Sequence, residues 1–81
     1  MAATFAELEL ACRHVVEGAQ RVADQRRRVA EQVRAGRDAR LSMRVLETFQ
    51  DTQHLLLEHR KIILGELGVE LSAQLKHAAR S

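Results

Sequence analysis

Val33-Arg34-Ala35-Gly36-Arg37-Asp38 separates two long helical patterns and decides how they meet. Gly36 follows the last apolar position of the first pattern, where glycine accepts the left-handed conformation that ends a helix. Arg34 stands in the final turn, where a cation meets the negative end of the helix dipole. Asp38 offers an N-cap for the helix that follows. A connection this short, read as 36–38, makes the two helices pack antiparallel.

Working back from the turn, Phe5, Leu8, Cys12, Val15, Ala19, Val22, Arg26, Val29 and Val33 recur in alternating steps of four and three. That spacing keeps one helical face against a neighbour. Val16, Ala23 and Ala30 lie beside the stripe and widen it, which suits a bundle of more than two helices. Thr4-Phe5-Ala6-Glu7 has capping-box spacing. These signals place helix 1 at about 4–35.

Working forward, Leu41, Val45, Phe49, Thr52, Leu56, Ile63 and Leu67 share a face of helix 2, placed at about 39–67. Leu55, Leu57, Ile62 and Leu64 add apolar surface elsewhere. A helix apolar over most of its circumference needs more than one neighbour, and a hairpin supplies one. Leu55, Leu56, Ile62, Ile63 and Leu67 are therefore expected to carry self-association. After Gly65 and Gly68 two readings stay open. The helix runs on through 68–81, or Gly68 ends it before a short third helix or a frayed tail. Leu71, Leu75 and Ala78 continue the stripe and favour helix, with weak order near Ser81.

Composition agrees with a single small helical domain spanning 1–81. The chain is 46% hydrophobic and 30% charged, with no Pro and with Phe5 and Phe49 as its aromatics. That balance excludes an all-β domain and a disordered chain. A core of this size supplies about 3–5 kcal/mol unaided. The single Cys12 cannot close an internal disulfide, so homodimerisation is the expected source of further stability. The runs 55–57 and 62–64 are too short to span a bilayer. No signal peptide is visible, and a lone Cys suits a reducing compartment. The sequence thus predicts a cytoplasmic protein with no membrane partner. Its predicted class is all-α: an antiparallel two-helix hairpin, doubled by a two-fold axis into a four-helix bundle.

Charge is unevenly placed. From Arg21 to Arg44, eight Arg stand against Asp24, Glu31 and Asp38, a net of +5; the whole chain carries +2, which leaves −3 for the rest. The hairpin tip is a basic knob. Arg27, Arg28, Arg34, Arg37 and Arg40 are candidates to meet nucleic-acid phosphates. No base-stacking aromatic or known DNA-binding motif accompanies them, so the solvated-face reading is favoured over a nucleic-acid partner. Folding about the turn places residue i opposite roughly 74 − i, which sets Arg26 level with Thr48 and near Asp51. Arg26, Thr48 and Asp51 are the expected polar layer fixing register in an aliphatic core; Arg26 reaching out to solvent from a broad stripe is the equal alternative.

The chemical constellations are thin. Asp51, His54 and Glu58 share a face of helix 2, as His14 and Glu17 do on helix 1, but both His fall on polar faces and cannot point into a bundle core. Cys12 and His59 provide too few ligands for zinc. His14-Val-Val-Glu17-Gly18 is close to the His-x-x-Lys-Gly pattern of phosphotransfer domains, with Glu17 where the Lys would hold phosphate. There is no nucleophile elbow, phosphate loop or long loop. No metal, no cofactor and no enzymatic activity are predicted.

His14-Val-Val-Glu17-Gly18, Asp24-Gln25, Gly36-Arg37-Asp38, Leu46-Glu47-Thr48-Phe49 and Glu58-His59-Arg60 together resemble short helical-hairpin proteins of α-proteobacterial genomes. The resemblance spans about residues 13–64. It implies a hairpin and a bacterial origin, and brings no activity or site with it. The function expected from the sequence is a non-enzymatic interaction or adaptor protein that self-associates and docks a protein partner. A nucleic-acid-associated regulator is the alternative, and a His phosphotransfer bundle the third reading.

Overall fold

The structure, a computed structural model, describes residues 3–80 and is an all-α hairpin. Helix α1 spans Phe5–Arg34 and α2 spans Arg40–Arg80. Thr4 caps α1 from an extended backbone, its Oγ1 accepting from the Glu7 N–H at 3.1 Å. At the other end Gly36 adopts φ +69°. The Arg37 N–H donates to the Gln32 carbonyl at 2.8 Å and the Gly36 N–H to the Val33 carbonyl at 3.1 Å. This pair of bonds satisfies carbonyls that the end of the helix would otherwise leave open. Asp38 acts one residue earlier than expected. Ala39 accepts the first bond of α2, from the Met43 N–H, while the Asp38 carboxylate accepts from the Arg40 N–H at 3.1 Å.

The molecule is a rod of 70 × 15 × 14 Å with a radius of gyration of 19.2 Å, where a compact domain of this length has about 12 Å. Two helices side by side have no third direction in which to fold back. The open question after Gly68 resolves to helix: α2 continues through Arg80, and Ser81 lies outside the described residues. Gly65 and Gly68 face open space, so they interrupt nothing, and each costs only about 1 kcal/mol of helix propensity.

The seam between the helices is a heptad pattern on both sides. From α1 it takes Leu8, Ala11, Val15, Gly18, Val22, Gln25, Val29 and Gln32, each buried or half-buried. From α2 it takes Ala39, Ser42, Leu46, Phe49, Gln53, Leu56, Arg60, Ile63 and Leu67. Gly18 lies against Gln53, which sets residue i of α1 opposite 71 − i of α2. The expected pairing of i with 74 − i is three residues out of register. The α1 stripe expected from sequence is half correct. Leu8, Val15, Val22 and Val29 enter the seam, Cys12 is half-buried at its edge, and Phe5, Ala19, Arg26 and Val33 stay exposed beside it. Small and polar residues one position earlier, at 11, 18, 25 and 32, take their place. Leu41 and Thr52, expected on the core face of helix 2, are also exposed.

In this register Phe5 is level with Glu66. The last 14 residues of α2 therefore run about 21 Å past the start of α1. Ala3, Ala11, Leu8, Ile63 and Leu67 close the seam at that end.

Candidate interaction surface

Running antiparallel has a geometric consequence for the surface. The operation that exchanges two antiparallel helices leaves each flank of their seam on its own side. The flank of α1 carrying Phe5, Cys12, Val16, Ala19, Ala23, Ala30 and Val33 therefore lies beside the flank of α2 carrying Met43, Leu57, Leu64 and Leu71. The larger residues here are exposed: Phe5 65%, Val16 69%, Met43 54%, Leu57 37% and Leu64 50%. Together they form one largely apolar face along both helices, interrupted by Glu9 and Arg26 on α1 and by Gln50 on α2. The opposite flank is divided. Leu41, Leu55, Ile62 and Val69 make a stripe on α2, but α1 sets Glu7, Glu17, Arg21, Asp24, Arg28 and Glu31 beside it.

The five residues expected to carry self-association do not share a face. Leu56, Ile63 and Leu67 are taken up by the seam with α1. Leu55, at 72% exposure, and Ile62, at 58%, stand on the divided flank. Met43, Leu57, Leu64 and Leu71 belong to the largely apolar face. The sequence signal for them was a seven-residue spacing offset by one position from the seam, with Gln50 between Met43 and Leu57.

The polar layer at Arg26, Thr48 and Asp51 is corrected by the structure, because all three are exposed. The Thr48 hydroxyl turns back to the Arg44 carbonyl of its own helix at 3.2 Å. Besides Ser42 and the half-buried Arg60, the polar groups that enter the seam are the amides of Gln25, Gln32 and Gln53. Gln25, 4% exposed, donates its Nε2–H to the Ser42 carbonyl at 2.9 Å, and Gln53 donates likewise to the Val15 carbonyl at 2.9 Å. An amide enters the seam without the desolvation cost of a full charge, and among the described residues Gln53 Oε1 and Gln32 Oε1 are buried there without a hydrogen-bond partner.

At the tip, Arg27, Arg28, Arg34, Arg37 and Arg40 are all exposed. Arg27 pairs with Asp24, and Arg40 with Asp38 at 2.8 Å. Arg28, Arg34 and Arg37 have no ion-pair partner among the described residues. The Arg40 guanidinium, aided by the Arg40 backbone N–H, holds the Asp38 carboxyl below its ordinary range, and Asp38 in turn raises Arg40.

The residues weighed for chemistry do not converge. Cys12 and His59 are level in the register but on opposite flanks, and His59 is exposed rather than at the edge of the core. Glu17 is drawn to Arg21 at 3.9 Å. Among the described residues no group of three or more His, Cys, Asp or Glu is placed to hold a metal ion, and no helix is long and apolar enough to cross a membrane. No protein-family model, curated protein or solved structure matches the chain.

Proposed function

We propose that this chain is a non-enzymatic helical interaction protein whose working form is a homodimer, two hairpins closing into a four-helix bundle. The observation that carries the reading is the largely apolar face shared by Val16, Ala19, Ala23, Met43, Leu57 and Leu64. The surface area agrees with it. The chain exposes 6553 Å², whereas a compact monomer of 9.2 kDa exposes about 4,900 Å². Covering that excess on two copies buries about 3,200 Å² in all, within the range of obligate homodimers. The stripe of Leu41, Leu55, Ile62 and Val69 stays outside this dimer, as surface for docking a protein partner.

Light scattering after size exclusion tests the reading directly. A helical peak of twice the 9.2 kDa chain mass is expected; a helical monomer at micromolar concentration overturns it. The nucleic-acid alternative rests on Arg28, Arg34 and Arg37, exposed at the tip and without an ion-pair partner among the described residues. It requires binding to duplex or single-stranded DNA or RNA that falls steeply with salt and disappears when those three are replaced.

A further inference from the structure

We infer that the two hairpins of the dimer pack tip to base, with Arg26 of each copy against Glu9 of the other. This rests on the self-association reading above and specifies its geometry. The α1 side of the apolar face runs through positions 5, 9, 12, 16, 19, 23, 26, 30 and 33, and its charged members are Glu9 and Arg26. Both are exposed, and neither has an ion-pair partner among the described residues.

Opposite charges on a self-complementary face fix the symmetry axis that satisfies them. A two-fold axis midway between Glu17 and Gly18, across the rod, brings Glu9 of each copy to Arg26 of its mate. It also sets Cys12 against Ala23 and Val16 against Ala19, so small residues meet small residues along α1. Helix α2 gives the same axis independently. Its charged residues bordering this face include Glu47 and Lys61, also without ion-pair partners among the described residues, and their midpoint is His54. In the hairpin register, 17 and 18 lie level with 54 and 53, so one axis serves both helices. The alternative two-fold axis, along the rod, sets Arg26 level with its own copy and stacks two Arg-rich tips, each of net +5 over residues 21–44. Like charges so placed oppose association.

Charge reversal and a distance measurement test the geometry. Glu9→Arg is expected to weaken the dimer about tenfold, as is Arg26→Glu, and combining them to restore it. Single reversals without effect, or a double reversal that gives no rescue, overturn the pairing; circular dichroism on each variant establishes that the hairpin is intact. Spin labels on Arg37→Cys in a Cys12→Ala background should lie about 50 Å apart across a tip-to-base dimer, against less than about 25 Å for tips side by side. A short distance in a dimeric protein overturns the orientation and leaves self-association standing. A monomeric wild-type chain overturns both.

Discussion

Gly18 of α1 packs directly against the side-chain amide of Gln53 of α2, and each residue is explained by the other. The Gln53 Nε2–H reaches the Val15 carbonyl, one turn before Gly18, at 2.9 Å. A Cβ at position 18 would collide with Gln53 Oε1 and stand 3.1 Å from Leu56 Cδ1. Gly18→Val is therefore expected to destabilise the hairpin by about 1–3 kcal/mol, the range for overpacking, despite its better helix propensity. In a Gln53→Ala background the same change should cost less than half as much. Denaturant unfolding of the four proteins in this cycle measures the coupling.

Gln25 makes the opposite case. Its amide serves the Ser42 carbonyl, which as a helix-interior acceptor has the chain's own N–H to bond as well. Gln25→Leu forfeits one hydrogen bond, about 1 kcal/mol net, and gains a buried aliphatic side chain at 1.5–3 kcal/mol by rough transfer values. The variant should unfold about 1 kcal/mol later in urea. A fall in stability would mean that the amide contributes more than its one bond.

These residues also mark where the sequence could and could not be read. The turn was legible because Gly36 and Asp38 act through local backbone chemistry, which neighbours do not alter. Both helices were legible because three- and four-residue spacing survives any choice of face. The seam was not. Leu8, Val15, Val22 and Val29 serve two adjacent stripes, and hydrophobicity favours the one through Phe5, Cys12 and Val33 over the one through Ala11, Gly18 and Gln25. The second is chosen because helices approach closely over small residues and because buried amides find carbonyls across the gap. Neither gain is visible to a count of apolar positions. The three-residue error in register follows from the same cause, since it was measured from the turn rather than from Gly18 against Gln53.

Gly36 tests the turn in isolation. Its φ of +69° costs a residue with a Cβ roughly 1 kcal/mol. Nothing lies within 4 Å of where a Cβ would stand, so no clash adds to that strain. Gly36→Ala should lower the unfolding free energy by about 1 kcal/mol, while Gly65→Ala, inside α2 and equally open, should raise it by a similar amount. Equal effects at the two sites would contradict the left-handed assignment.

The Asp38 carboxylate gives the start of α2 an acid dependence. Its pKa is lowered by the Arg40 side chain and backbone N–H, so the folded state favours the ionised form. A depressed pKa stabilises at pH above the ordinary carboxylate value and loses that contribution as pH falls through the folded value. The Tm difference between wild type and Asp38→Asn should accordingly be constant from about pH 5 to 8 and shrink below about pH 4. Both side chains are exposed, so 1 M salt should reduce the difference at neutral pH. A difference that grows on acidification would reverse the sign argued here.

The choice between the two exposed flanks of α2 is decided by residues two positions apart. Leu57 and Leu64 stand beside the small residues of α1, on the face that the proposed dimer would cover. Leu55 and Ile62 stand beside Glu17, Asp24 and Glu31, three carboxylates that a second hairpin would have to bury, where the other face carries one opposite pair, Glu9 and Arg26. Leu57→Glu with Leu64→Glu should give a monomer that keeps the hairpin seam and most of its helicity, with the dimer weakened at least about 100-fold, since each buried leucine contributes roughly 1.5–3 kcal/mol. Leu55→Glu with Ile62→Glu should leave the mass of the dimer unchanged. Sedimentation equilibrium on both variants separates the faces. A dimer lost only in the second variant would move the interface to the flank bearing Leu41, Leu55 and Ile62, and would require Glu17, Asp24 and Glu31 to find cationic partners across it.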